Sequence, residues 1–260
     1  MNFLKFVYLL TASVTVTVRP LPSATISGTT SICQSGTSPV ITFTGAGGTA
    51  PYTFTYNING GVTQTITTTT GNSTTVTVST STAGVFTYNL LSVRYGSSPV
   101  CSQPQTGSAT ITINPSPIAA LTGNTTVCLN DTQPIVTFTG SGGTPPYTFT
   151  YNINGGAAQT VTTTTGNSVT VSVPTSTSGT FTYNLVSVKD SALPSCTRPQ
   201  TGSVIITVKQ LPTATISGNT TICQGGTSPS ITFTGSGGTA PYTFTYNING
   251  GSSQTVTTIT

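Results

Sequence analysis

From Tyr52 to Asn59 apolar side chains alternate with small polar ones. Tyr52, Phe54, Tyr56 and Ile58 fall on one face; Thr53, Thr55, Asn57 and Asn59 fall on the other. A period of two predicts a half-buried β-strand. Asn59-Gly60-Gly61 follows and supplies the positive-φ residues that a tight hairpin turn needs. The same ten residues, Pro51–Gly60, recur at Pro146–Gly155 and Pro241–Gly250, a step of 95 residues each time. A fixed step marks one supersecondary unit copied in tandem.

The alternation extends through the rest of the unit. Ala24-Thr25-Ile26, Val40–Thr44, Thr63–Thr69, Thr75–Ser79, Val85–Val93 and Thr106–Ile113 are the further predicted strands, separated by Gly-rich turns. No segment carries a helical period. Thr11–Val18 aligns with Thr106–Ile113 and Thr201–Val208, so it reads as the last strand of a preceding or neighbouring repeat. The expected organisation is an apolar segment over 1–10, that strand over 11–18, and a linker over 19–22. Repeat 1 follows over 23–114, a linker over 115–117, repeat 2 over 118–209, a linker over 210–212, and an incomplete repeat 3 over 213–260. Proline at alternate linker positions keeps the backbone extended and stiff, which predicts a semi-rigid rod.

Composition narrows the chemistry. Among 260 residues there are two acids, six bases and no His, for a net charge of +4. The acids, Asp131 and Asp190, occupy non-equivalent places in the repeat. A Ser-His-Asp triad, a glycosidase carboxylate pair and a His zinc site are excluded, as is a calcium site built of clustered carboxylates. The sequence therefore implies no enzyme, no cofactor and no metal. The bases are dispersed, which argues against a nucleic-acid partner. Residues 1–10 are too short an apolar run to span a membrane.

The cysteines follow the same period. Cys33 and Cys101 are 68 residues apart, as are Cys128 and Cys196, and Cys223 is the third copy of Cys33. This spacing suggests one disulfide per complete repeat, Cys33–Cys101 and Cys128–Cys196, with the partner of Cys223 outside the chain. Reduced core cysteines are the alternative. Disulfides would place the protein outside the cytoplasm.

The strand Pro51–Gly60, followed by Ala83-Gly84-Val85-Phe86-Thr87-Tyr88-Asn89-Leu90, resembles the aromatic central strand and Gly-x-Tyr-x-Val strand of polycystic-kidney-disease-type Ig-like domains. The 95-residue unit is similar to tandem repeats of long Bacteroidota surface adhesins, including those linked to gliding motility. The resemblance implies an all-β chain of tandem Ig-like β-sandwich domains, exported and displayed on the cell surface as a stalk or filament. In place of the acidic stretch usual in that domain type stands Asn57-Ile58-Asn59-Gly60-Gly61. Asp190-Ser191-Ala192 matches the O-glycosylation pattern of the same bacterial group, making Ser191 a candidate acceptor.

Three functional expectations follow. The first is an extracellular structural rod whose partners are adjacent covalent repeats. The second is a subunit that polymerises head-to-tail with copies of itself. Phe6, Tyr8, Leu10, Val14, Val16 and Val18 would supply the strand that completes a neighbour's repeat 3. The third is a glycan-binding module. The loops Gly45-Ala46-Gly47-Gly48, Gly140-Ser141-Gly142-Gly143 and Gly235-Ser236-Gly237-Gly238 are nearly identical, which favours a spacer over a recognition site.

Overall fold

The computed structural model describes residues 13–96 and 100–259. Its chain divides into two compact units, residues 1–115 and 116–260.

Repeat 1 lies in the first unit, and its described residues form nine strands. They are β1 (Ser23–Ser27), β2 (Thr30–Cys33), β3 (Val40–Ala46), β4 (Tyr52–Ile58), β5 (Gln64–Thr67), β6 (Ser73–Thr77), β7 (Gly84–Tyr95), β8 (Cys101–Pro104) and β9 (Ser108–Asn114). One sheet has the order β1-β3-β6; the other has the order β2-β9-β7-β4-β5, with β8 also paired to β7. The chain leaves the first sheet after β1 and joins the second as β2, which runs parallel to β9. Gly28 makes this switch possible. Its φ is +117°, and a Cβ there would lie 2.4 Å from the carbonyl oxygen of Val40. Two facing sheets with one strand passing between them are an Ig-like sandwich.

In the second unit, repeat 2 repeats this plan. Its strands are β10 (Ile118–Thr122), β11 (Thr125–Cys128), β12 (Ile135–Ser141), β13 (Thr148–Ile153), β14 (Gln159–Thr162), β15 (Ser168–Ser172), β16 (Gly179–Lys189), β17 (Thr197–Pro199) and β18 (Ser203–Lys209). The pairing is the same, β10-β12-β15 and β11-β18-β16-β13-β14. Repeat 3 contributes β19 (Thr213–Ser217) paired with β20 (Thr232–Ser236), and β21 (Thr243–Tyr246) paired with β22 (Gln254–Thr257). Ile216 is 64% exposed on this partial sandwich.

The alternation read from the sequence sets the core. Tyr52, Phe54, Tyr56, Ile41 and Phe43 are buried, and Ala109, Ile111 and Ile113 line the same interior from β9. Phe43 reaches across the sandwich to Phe54 and Tyr56, with ring centroids 5.6 and 5.0 Å apart. Such aromatic pairs contribute roughly 0.5–1.5 kcal/mol each beyond area burial. Phe138 makes the same contacts with Phe149 and Tyr151. Phe233 makes them with Phe244 and Tyr246 in repeat 3.

Four differences from the sequence reading have physical causes. Strands β2 and β8 are additional; both are four residues long and lie at the margin of a sheet, and β2 lacks alternation. Strand β7 carries a bulge. Thr55 pairs with Ser92 and Tyr56 with Leu90, so Leu91 is the extra residue. The inward set therefore changes phase, from Tyr88 and Leu90 to Val93 and Tyr95. Finally, residues 13–18 form no strand, and Val14, Val16 and Val18 are 89, 80 and 88% exposed. Their counterparts Ala109, Ile111 and Ile113 are ordered between β7 and β2, and residues 13–18 have no such neighbours.

The Asn-Gly-Gly turn forms as expected. Asn59 and Gly60 have φ of 52° and 73°, and Gly61 N–H donates to the Ile58 carbonyl at 2.9 Å. Both central residues lie at positive φ, which matches a type I′ turn. Asn59 also ties the turn to β7, accepting from Thr87 N–H at 2.7 Å and donating to the Val85 carbonyl at 3.0 Å.

One buried hydroxyl closes the start of each central strand. Thr163 is 2% exposed, and its Oγ1 accepts from Tyr147 N–H at 2.9 Å. Thr68 and Thr258 do the same for Tyr52 and Tyr242. Thr163→Val keeps the shape and orphans that N–H, so it should destabilise repeat 2 by about 1–3 kcal/mol. Thr162→Val, at an exposed hydroxyl pair with Thr148, should change stability by less than about 0.5 kcal/mol. Urea unfolding midpoints of the two variants check the contrast.

Candidate functional site at the poles of the repeat

The chemically distinctive residues of each repeat collect at the two ends of its sandwich. The N-terminal pole of repeat 1 is built from the loop after β3 and the end of β7. Tyr52 packs its ring on Gly45, where a Cβ would sit 2.6 Å from the ring, and its hydroxyl accepts from Gly48 N–H at 3.0 Å. Tyr95 packs on Gly48, and its hydroxyl donates to the Pro20 carbonyl at 3.1 Å. The preceding linker is thereby seated on its own repeat. The Cys101 thiol belongs to this pole, since Cys101 pairs with Tyr95. A hydrogen bond with Cys101, then burial, raises the Tyr95 phenol above its ordinary pKa.

In repeat 2 the place of Tyr95 is taken by Asp190, which is 3% exposed. Its carboxylate accepts from Cys196 N–H at 2.7 Å and from Thr144 N–H at 3.2 Å. Gly143 leaves room for it, because a Cβ there would lie 2.6 Å from Asp190 Oδ2. Asp190 thus pins Cys196 to the loop after β12. Ser191 is exposed beside it, and its hydroxyl donates to the Pro145 carbonyl at 2.7 Å.

The C-terminal pole carries the other cysteine of each repeat. Cys33 pairs with Asn114 and Cys128 with Lys209, the last residues of β9 and β18. Thr80 Oγ1 donates to the Gly36 carbonyl at 2.8 Å, and Thr175 Oγ1 to the Asp131 carbonyl at 2.7 Å, closing the turn that follows. Asp131 also accepts from Cys128 N–H at 2.8 Å. The two acids of the chain therefore sit at opposite poles of one sandwich, so they form no catalytic pair. Among the described residues no group of three or more His, Cys, Asp or Glu side chains could hold a metal ion.

This polarity corrects the expected disulfides. Gly84, at the start of β7, pairs with Ile113 beside the Cys33 end of β9, whereas Tyr95, at the other end of β7, pairs with Cys101. The intervening strand is on the order of 30 Å long, and a disulfide joins Cα atoms no more than about 7 Å apart. Cys33–Cys101 is accordingly not formed, and the same register in repeat 2 separates Cys128 from Cys196. Cys101, Cys128 and Cys223 are thiols in this structure. Of the candidate exchange strand, Phe6, Tyr8 and Leu10 lie outside the described residues.

No protein-family model matches the chain, and no curated protein matches it. Solved structures do. One is from a 1.5-MDa bacterial ice-binding adhesin, at 17% identity and a TM-score of 0.40, covering 92% of this chain and 84% of that one. Another, a calcium-stabilised ice-binding adhesin of an Antarctic bacterium, is 22% identical with a TM-score of 0.42, covering 91% and 63%. The I67–I69 fragment of titin is 14% identical with a TM-score of 0.47, covering 90% and 81%. The strand pairing within each repeat, rather than these likenesses, establishes the Ig-like sandwich. The chain is a tandem array of all-β, Ig-like repeats. No helix among the described residues is long and apolar enough to cross a membrane.

The scarcity of charge has a measurable consequence. Burial raises the phenols of Tyr56, Tyr88, Tyr151 and Tyr183 above their ordinary pKa. A raised phenol keeps its full stabilisation below the unfolded pKa and loses it as pH climbs through that value toward the folded one. With no His and no Glu in the sequence, the thermal midpoint should stay level from about pH 5 to 8 and fall above about pH 10. Calorimetry across that range checks this.

Proposed function

We propose that this chain is a length of extracellular stalk or filament belonging to a bacterial surface adhesin, of the kind displayed by Bacteroidota. The observation that carries the reading is the seating of each linker on the repeat it precedes. Tyr95 holds the Pro20 carbonyl in repeat 1. Gly142 and Gly237 leave space for the carbonyls of Ser116 and Leu211, with Cβ distances of 3.2 and 2.7 Å, in repeats 2 and 3. A chain built to transmit length needs identical units and tethered linkers, and it needs no site that varies from copy to copy. The repeats, the low charge and the hydroxyl-rich outer faces fit export and an exposed life.

Small-angle scattering tests the reading on the 260-residue chain. A compact particle of this length has a radius of gyration of about 18 Å. The stalk reading predicts a value well above that, with a pair-distance distribution tailing to long distances; a value near 18 Å would contradict it.

A second reading, polymerisation by strand exchange, is favoured by one observation. Val14, Val16 and Val18 stand exposed in the alternation that their counterparts bury, while Ile216 stands exposed on the partial sandwich of repeat 3. Under this reading the protein forms concentration-dependent oligomers by light scattering, and removing residues 1–18 abolishes them. A monomer at all concentrations would sink it.

A further inference from the structure

We propose that Asn249 is a site of spontaneous modification, converting to an aspartyl or isoaspartyl residue while the equivalent Asn59 and Asn154 stay intact. Asn-Gly occurs three times in the chain, at Asn59-Gly60, Asn154-Gly155 and Asn249-Gly250. This dipeptide suits the chemistry because glycine has no Cβ to shield its backbone nitrogen or to restrict the chain around it. The three turns share one backbone. Their φ values are 52°, 53° and 51° at the asparagines and 73°, 73° and 74° at the glycines. A Cβ at any of the three glycines would meet nothing within 4 Å. Sequence and turn geometry are therefore equal, and what differs is the hold on the asparagine side chain.

In repeat 1 both ends of the Asn59 carboxamide are bound to β7. Its Oδ1 accepts from Thr87 N–H at 2.7 Å, and its Nδ2 donates to the Val85 carbonyl at 3.0 Å. Asn154 is bound to β16 in the same way, by Thr182 N–H at 2.7 Å and the Thr180 carbonyl at 3.2 Å. The backbone N–H groups of Asn59 and Asn154 also donate to the Thr87 and Thr182 carbonyls, each at 2.8 Å. Attack on Cγ requires the carboxamide to turn toward the following backbone nitrogen. In these two repeats both side-chain bonds must break first.

Repeat 3 offers no such hold. β21 pairs with β22, and among the described residues no strand lies along its other edge, where β13 has β16. Asn249 is exposed, and among the described residues its carboxamide has no hydrogen-bond partner. The nucleophile is also less restrained. Gly250 N–H donates to Asn247 Oδ1 at 3.2 Å, as Gly60 and Gly155 do to Asn57 and Asn152 at 3.1 and 2.9 Å. In repeats 1 and 2 that acceptor is itself held, by Asn89 Nδ2 at 2.9 Å and Asn184 Nδ2 at 3.0 Å.

The Gly250 backbone nitrogen loses its proton and bonds to Asn249 Cγ. The Cγ–Nδ2 bond breaks, and Nδ2 leaves as ammonia with that proton, which closes a cyclic imide. Water then opens the imide at either carbonyl, giving an aspartyl or an isoaspartyl linkage. The net change consumes one water and releases one ammonia. It adds a negative charge to a chain that has two acids. The isoaspartyl product also lengthens the backbone by one methylene within the turn between β21 and β22.

The test is incubation of the full chain in mildly alkaline buffer, at a dilution where light scattering reports monomer, followed by tryptic mapping that distinguishes isoaspartate. Cleavage after Arg94, Lys189 and Lys209 leaves each Asn-Gly on a different peptide. The expected result is conversion at Asn249 roughly tenfold or more faster than at Asn59 and Asn154, the factor imposed by breaking two hydrogen bonds. In concentrated urea, which removes the hold, the three sites should convert at similar rates. A rate at Asn59 or Asn154 equal to or above that at Asn249 in the folded chain would overturn the proposal. So would an unmodified Asn249 in a folded chain whose urea control converts at all three sites. None of these results bears on the stalk reading, which scattering tests separately.

Discussion

Everything else in the repeat depends on one aromatic contact, that of Phe43 with Phe54 and Tyr56 across the sandwich. A chain this short of charge and so rich in threonine has few large apolar groups to bury. It concentrates them on one central strand and on the facing residues of the other sheet. The contact is the same in repeat 3, where the described residues form four strands, with Phe233 to Phe244 and Tyr246 at 5.6 and 5.0 Å. The aromatic geometry thus belongs to β3 and β4 and their copies, and it is the same whether or not the remaining strands accompany them. Those strands close the edges and cover the rings. Thr68 and its counterparts satisfy the one buried N–H at the head of the aromatic strand.

The bulge in β7 turns this core into a unit with two different ends. The extra residue, Leu91, presents its carbonyl to Gln105 N–H at 2.8 Å at the corner between β8 and β9. Gln105 in turn accepts from Ala24 N–H at 3.0 Å in the opposite sheet. Val186 and Gln200 repeat the arrangement, with Gln200 receiving Ala119 N–H. Beyond the bulge β7 continues to the N-terminal pole as Val93 and Tyr95, and there it meets the incoming linker. Length is therefore built into the repeat by a register shift, and the pole chemistry follows from where that shift sends the strand.

Much of this was legible in the sequence, and the exceptions have physical reasons. The period-two faces of β3, β4, β7 and β9 and the Asn-Gly-Gly turn were readable because each is a local pattern with a local cause. Thr30-Ser31-Ile32-Cys33 was not readable as a strand, because it is four residues long and is ordered only by parallel pairing with β9. The phase change at Leu91 was invisible because a bulge is set by the partner strand. The pairing of the cysteines was misread for a different reason. In a tandem array the spacing within a repeat and the spacing between repeats are equally regular, and only the strand register reveals that Cys33 and Cys101 occupy opposite poles. At the N-terminal pole the exchange of Tyr95 for Asp190 gave no sequence signal of its own; its meaning came from Gly48 and Gly143, which make room for each side chain.

Single-molecule stretching of the 260-residue chain under reducing conditions tests most directly whether the repeats are independent load-bearing units. The account predicts two equal unfolding steps, each lengthening the chain by about 30 nm, the extended reach of a repeat at roughly 3.3–3.6 Å per residue. A single cooperative step, or a smooth extension without steps, would contradict it.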